Sequence, residues 1–300
     1  MSWLDRIEAE TAAKTAAPAE PLVKVVDVDG VSMSARVCAV PEPKATVLAL
    51  HGGGASTRYF DPPGHPELSL LRAGAERGFT MVAVDRPGYG MSRIFAEDLG
   101  DPQRRTDLVY GTVDELVAPG ARGAGVFVVA HSLGCELALR MAADERGAAL
   151  VGVELAGTGL VYHPVARELM DRHREAGDAR RPTGVLDLLF QPAELYPDDI
   201  DGEAIGGRSP GYEGEVSRRW SGETFPALAA RVGVPVRFTI ADHESVWSTG
   251  PDALAAVAAL FTSSPRVVAE EQPDSGHNLS LGLAAPDYHR RVLDFVEECL

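Results

Sequence analysis

Val126-Phe127-Val128-Val129-Ala130-His131-Ser132-Leu133-Gly134-Cys135 is the stretch from which the fold can be read. Its first half is an unbroken apolar run, as expected of a strand buried on both faces. Leu133 to Ala143 is rich in Ala and Leu and reads as a helix. Ser132 falls on the turn between the two. Small residues, Ala130 and Gly134, flank it two positions either way, so strand and helix backbones can approach. The hydroxyl is thereby held at the C-terminal edge of a sheet, beside a helix N-terminus. A helix N-cap would also use serine. The buried strand before it favours a G-x-S-x-G nucleophile elbow with Ala in the first glycine place.

The same alternation runs outward in both directions. Upstream, Val23 to Val28, the turn Asp29-Gly30 and Val31 to Val40 predict an antiparallel hairpin. Ala45 to Leu50 predicts a buried strand that stops at His51-Gly52-Gly53-Gly54, and Phe79 to Val84 another that stops at Asp85-Arg86-Pro87-Gly88-Tyr89-Gly90. Helices are expected over 66–77 and 102–117. Downstream, strands are expected over 149–155, 234–240 and 266–269, and helices over 252–261 and 288–299. Strand and helix in turn predict an α/β fold with a mostly parallel sheet and helices on both faces. Residues 158–224 break the rhythm with prolines, glycines and charges, too long for a structureless loop. They are expected to form a small helical insertion, with helical pieces near 165–174 and 185–190. The expected organisation is an N-terminal arm over 1–21, a core over 22–157 and 225–300, and the insertion over 158–224.

Composition narrows the partners. With 28 Lys and Arg against 44 Asp and Glu the net charge is −16. A surface this acidic repels phosphate backbones and anionic membranes, so neither nucleic acid nor membrane is expected as a partner. Cys38, Cys135 and Cys299 are far apart and form no C-x-x-C pair. That composition predicts reduced thiols and a cytoplasmic location. No secretory signal or bilayer-spanning run is read.

A serine hydroxyl is a poor nucleophile without a base. Of eight histidines, His277 stands out, in Asp274-Ser275-Gly276-His277-Asn278 between the last expected strand and the last helix. His131, next to Ser132, should point away from it, and His51 should support its own loop. His65, His163, His173 and His289 read as surface or cap residues. No histidine pair has metal-ligand spacing, so no metal and no cofactor are expected. The base needs a carboxylate to orient it. Ala241-Asp242-His243-Glu244 follows an expected strand and offers two, Asp242 and Glu244. Glu244, at the far side of the turn and longer by a methylene, has the reach. Asp242 is suited to accepting turn N–H groups, and Glu154 is a more distant candidate. An oxyanion hole needs two backbone donors. The N–H of Leu133 is one, and Gly53, with Gly54 next, offers the other. No G-K-[ST] follows, which excludes a Walker loop, and the glycines lack the G-x-G-x-x-G spacing of a dinucleotide fingerprint.

Taken together, His51-Gly52-Gly53, Asp85-Arg86-Pro87-Gly88-Tyr89-Gly90, Ala130-His131-Ser132-Leu133-Gly134, the acidic turn at 241–244 and Gly276-His277-Asn278 resemble the α/β-hydrolase family. The resemblance covers nearly all of residues 22–300 and includes the order nucleophile, acid, histidine. In the family's frame for the acid, G-E-x-D, the acid falls on Glu244, with Ala241 for Gly and Glu for Asp as departures. The resemblance implies a Ser132–His277–Glu244 triad, an oxyanion hole at Gly53 and Leu133, and a cap at 158–224. It implies a serine hydrolase of a small acyl substrate: an ester, with a thioester or lactone close behind. A serine at the nucleophile place argues against the family's dehalogenases and epoxide hydrolases, which use aspartate. Carbon–carbon bond hydrolysis, lyase or cyclase chemistry on the same triad is the first rival, and a ligand receptor retaining the fold the second. Tyr162, Leu186, Leu188, Leu189, Phe190 and Trp220 are expected either to line a pocket or to form the insertion's own small core.

Overall fold

A computed structural model describes residues 20–175, 185–200 and 202–300. Most of the expected arm lies outside the described residues, and the side chain of Leu186 is likewise outside what is described. Eight strands form one sheet: β1 (Leu22–Val28), β2 (Val31–Cys38), β3 (Thr46–Leu50), β4 (Thr80–Val84), β5 (Val126–His131), β6 (Leu150–Ala156), β7 (Val236–Ala241) and β8 (Val267–Gln272). Their order across the sheet is β1-β2-β4-β3-β5-β6-β7-β8. β1 and β2 are antiparallel, and the strands from β4 to β8 run parallel to one another. Asp29 and Gly30 close the first hairpin with φ of 50° and 77°, the primed-turn geometry that matches strand twist.

The apolar runs became the central strands for the expected reason. Every residue of β3, β4 and β5 is buried, because helices cover both faces. On one face lie α2 (Pro102–Leu116) and α3 (Gly134–Ala143), and on the other α1 (Leu70–Glu76) and α10 (Ala285–Glu298). α10 begins three residues before the expected helix start at Tyr288, since Pro286 in its first turn needs no N–H partner and pre-sets φ. Strand β8, which follows α9 (Pro251–Ala258), runs on to Gln272, past the expected end at Ala269.

The order of strands positions the site. The chain leaves β3 for β4 on one side, then returns to lay β5 on β3's other side. At such a switch point the loops after the two strands diverge and leave a crevice at the sheet's C-terminal edge. The Gly52–Gly54 loop and Ser132 flank that crevice. Between β6 and β7 the chain makes its long excursion through α4 (Pro164–Glu175), α5 (Val185–Leu189), α6 (Gly202–Ile205), α7 (Glu213–Arg219) and α8 (Phe225–Ala229). Its entry is pinned to the loop after β7 by a bridge between Tyr162 and Trp247, whose rings stack at 4.2 Å. Its exit belongs to the main core: Trp220 stacks on Phe225 and donates to Thr158 Oγ1 at 2.7 Å.

Candidate active site

Strand β5 ends at His131 and α3 begins at Gly134, leaving Ser132 and Leu133 to make the turn. Ser132 adopts φ of 52°, a left-handed backbone that a non-glycine residue takes only when its surroundings impose it. They do so here through Ser132 N–H to Ala156 O at 2.8 Å and Cys135 N–H to Ser132 O at 3.0 Å. A Cβ on Gly134 would lie 2.4 Å from Leu50 O, so only glycine lets α3 start this close to β3.

His277 and Glu244 complete a chain of hydrogen bonds. His277 Nε2 lies 3.2 Å from Ser132 Oγ. Its Nδ1 lies 2.8 Å from Glu244 Oε2 and 2.9 Å from Oε1. Both are buried, Glu244 at 6% and His277 at 1% exposure, so the carboxylate acts on the imidazole in a low-dielectric setting. Glu244 Oε1 also accepts the Val246 N–H at 2.7 Å, which fixes the carboxylate plane. With Nδ1–H held by a carboxylate, Nε2 presents its lone pair to the serine hydroxyl.

The other two acids have different partners. Asp242 accepts the N–H groups of Asp274 and Ser275, both at 3.0 Å, and so braces the turn that carries His277. Glu154 is buried beneath the sheet edge, 3.0 Å from Arg237 Nη1 and 3.2 Å from the Tyr288 hydroxyl.

The histidines other than His277 divide in two. His51 Nδ1–H donates to Gly52 O at 2.8 Å and its Nε2 accepts the Arg86 N–H at 3.1 Å. His131 turns away from the serine, stacks on Tyr59 at 4.4 Å and donates from Nε2 to His277 O at 2.9 Å. Burial first, then a neighbouring positive or titratable group, pushes both imidazoles well below the ordinary value and keeps them neutral. His289, expected at the surface, is buried at 1% exposure with Nε2 3.0 Å from Ser280 Oγ, and burial lowers its pKa to about 3. It sits on the inward stripe of α10, where the packing of the helix overrides the polarity of the residue. His65 is also buried, between Glu67 and Asp199.

The glycine loop faces the elbow. A Cβ on Gly52 would lie 3.1 Å from Ser132 Cβ, and one on Gly53 2.5 Å from Leu133 Cδ1. The Gly54 N–H is already engaged with the Tyr89 hydroxyl at 2.8 Å, which leaves Gly53 as the loop's candidate donor.

A cavity of about 50 Å³ lies over Ser132, lined by Gly53, Tyr59, His277, Leu189, Phe190 and Ile205 among others. Gly54, Phe190, Gly202 and Gly206 also line a wider cleft of about 800 Å³, whose rim includes Asp187 and Glu203. Of the insertion residues singled out in the sequence, Leu189 and Phe190 reach the cavity, whereas Tyr162 and Trp220 are stacked elsewhere. Tyr196 and Glu213 carried no sequence signal. The Tyr196 hydroxyl accepts the Asn278 N–H at 3.1 Å and donates to Leu189 O at 3.2 Å, tying the insertion to the His277 loop. Glu213 meets Arg86 and Tyr89, both inside the Asp85–Gly90 motif. Among the described residues no group of three His, Cys, Asp or Glu side chains is disposed to hold a metal, and no helix is long and apolar enough to cross a membrane.

No curated protein matches the sequence. Solved structures do match in shape. A membrane phospholipase A described as a bacterial virulence factor is 16% identical with a TM-score of 0.66, the match covering 98% of this chain and 92% of that one. E-2-(acetamidomethylene)succinate hydrolase is 19% identical with a TM-score of 0.62, over 93% and 100% of the two chains. A thioesterase domain from the curacin biosynthetic pathway is 15% identical with a TM-score of 0.56, over 93% and 99%. At such identities the likeness speaks to the fold alone. The model of the alpha/beta hydrolase family matches residues 47–292, which takes in every loop that borders the crevice. The chain therefore belongs to the alpha/beta hydrolase family.

Proposed function

We propose that this protein is a serine hydrolase that cleaves a carboxylic ester through an acyl-enzyme on Ser132. The observation that carries the reading is the continuous chain Ser132 Oγ–His277 Nε2 at 3.2 Å and His277 Nδ1–Glu244 Oε2 at 2.8 Å, with the serine on a strained elbow. His277 takes the hydroxyl proton as Oγ attacks the ester carbonyl, and Glu244 stabilises the resulting imidazolium. The N–H groups of Gly53 and Leu133 receive the oxyanion. The imidazolium then protonates the departing alcohol, and a water activated by the same histidine releases the acyl group.

The cavity over Ser132 favours a short acyl group, with the leaving group in the wider cleft beyond Phe190. The acidic rim at Asp187 and Glu203, and a net charge of −16, favour an uncharged or cationic leaving group over a polyphosphate-bearing thioester. The segment 158–224 serves as the cap that covers the crevice and shapes this choice. A fluorophosphonate probe should label Ser132, with the adduct located by mass spectrometry. Ser132→Ala should abolish labelling and lower ester turnover on the order of 10⁴–10⁶-fold. Labelling at another residue, or turnover that survives the substitution, would overturn the reading.

A further inference from the structure

The loop that faces the elbow is held from behind by the insertion. Glu213, the first residue of α7, is 4% exposed and lies 2.6 Å from Arg86 Nη2. The same Arg86 nitrogen donates to Gly52 O at 3.0 Å, and His51 Nδ1–H donates to that oxygen at 2.8 Å. The other carboxylate oxygen of Glu213 accepts the Tyr89 hydroxyl at 2.8 Å, and the Tyr89 oxygen accepts the Gly54 N–H at 2.8 Å. Both ends of Gly52-Gly53-Gly54 are thus tied, through Arg86 and Tyr89, to one carboxylate that belongs to the insertion.

The peptide between Gly52 and Gly53 makes this consequential. In a planar trans peptide the carbonyl and the N–H point in opposite directions. Two side-chain donors, with the longer Ala55 N–H bond at 3.4 Å beside them, draw Gly52 O away from the crevice, so the Gly53 N–H is turned towards it. A charge-assisted bond to the carbonyl also polarises the amide and strengthens its N–H as a donor. Arg86 is held in its cation form, since Glu213 and the surrounding tyrosyl groups outweigh the effect of burial. Without Glu213 a buried guanidinium would lose its counter-charge and seek another acceptor. Glycine leaves the loop free to rotate, so the orientation of this peptide depends on its partners.

We propose that Glu213 is a positioning residue, through which the insertion sets the orientation of the Gly52–Gly53 peptide and hence the strength of the oxyanion site. The inference rests on the serine-hydrolase reading above. It departs from the simplest view of the insertion, in which a cap selects substrates and leaves the chemistry untouched.

The test uses Glu213→Gln, Tyr89→Phe and the double variant Arg86→Gln with Glu213→Gln, which leaves no uncompensated buried charge. Each is assayed for kcat, KM, thermal midpoint and affinity for a trifluoromethyl ketone, which forms an oxyanion on the serine. Loss of a whole oxyanion donor lowers kcat about 10²–10³-fold. A misaligned donor should lower it about 10–100-fold in Glu213→Gln, with KM changed less than about 3-fold. Ketone affinity should fall in proportion to kcat/KM. The double variant should recover thermal stability but not kcat. Glu223→Gln, in an exposed pair on the same insertion, should be unchanged. If wild-type turnover is Ser132-dependent while Glu213→Gln and Tyr89→Phe both keep kcat within about 2-fold, the inference is overturned. A kcat loss that vanishes with recovered stability in the double variant, or that leaves ketone affinity intact, overturns it too. Absence of Ser132-dependent turnover in the wild-type chain overturns the functional reading itself, a result distinct from either.

Discussion

Ser132, Glu244 and His277 follow the ends of β5, β7 and β8, with Ser132 and His277 lining the cavity, whereas Phe190, which also lines it, and Tyr196 and Glu213, which contact the loops around it, belong to the β6–β7 insertion. The floor residues stand close to hydrogen-bonded strands. Ser132 follows His131 directly, Glu244 is three residues past Ala241, and His277 five past Gln272. Their mutual distances are inherited from sheet register, and each loop is short enough to transmit it. The insertion has no such framework. Its contacts with the loops of the floor include the Leu189–Tyr196 stretch on the His277 loop, Gly207 N–H on Gly54 O at 2.9 Å, and Glu213 on Arg86 and Tyr89 behind the glycine loop. A few polar contacts across a gap do for the roof what a ladder of backbone bonds does for the floor. Changes in the floor should therefore act on chemistry. Changes in the roof should divide between chemistry at these anchor points and selectivity at the apolar lining.

The sharpest way to test this division is the acid of the floor. Glu244→Gln should lower kcat by about 10⁴-fold, as loss of the orienting carboxylate does in a comparable triad. The folded chain should be retained by circular dichroism. A fall of less than 10-fold in steady-state kinetics would mean that the carboxylate only braces its own turn.

The floor should also be the part that responds to acid. His51, His131 and His289 are all depressed by burial, the last to about 3. Above pH 6.5 neither folded nor unfolded chain protonates them, and they impose no pH dependence. Below it the unfolded chain takes up protons that the folded chain refuses, so stability falls as the pH drops, for His289 down to about 3. The loss is up to about 1.4 kcal/mol per pH unit for each histidine. Urea midpoints at pH 7.5 and 5.5 measure it, and a flat profile would sink the account. His289→Asn, if it folds, should remove about a third of the slope.

Substitutions in the roof's lining should be milder and of another kind. Leu189→Ala and Phe190→Ala enlarge the space over Ser132, so relative kcat/KM should shift towards longer acyl chains. Pocket changes of this size alter discrimination about 10–200-fold. A series of p-nitrophenyl esters from acetate to octanoate reads it. Equal losses across the series would assign these side chains to the insertion's stability alone.

The smallest effect is expected from the second acid of the turn. Asp242→Asn keeps one acceptor oxygen for the Asp274 and Ser275 N–H groups. It should change kcat less than about 3-fold and cost about 1 kcal/mol of stability, the worth of a typical hydrogen bond. A kinetic loss as large as that of Glu244→Gln would erase the distinction between the two acids.

What the sequence by itself determined follows from local physics. Short unbroken apolar runs rich in valine suit strands covered on both sides, and the small residues around Ser132 allow a tight strand-to-helix turn. The strands, the elbow and the candidates Ser132, Gly53 and His277 could thus be named before any coordinates. Glu244 could be ranked above Asp242 by reach and by family frame, while their actual partners, His277 for one and the Asp274–Ser275 turn for the other, appear only in three dimensions. His289 is a clearer case: its polarity suggested a surface place, and the inward stripe of α10 gave it a buried one. The tertiary structure alone decided the roof. Glu213 is 127 residues from Arg86 in the chain and 124 from Tyr89, and Tyr196 is 82 from Asn278. No periodicity records such pairings. A carboxylate on the first turn of a helix reads the same whether it faces water or a buried guanidinium, and only the packing of the insertion on the sheet edge selects between them.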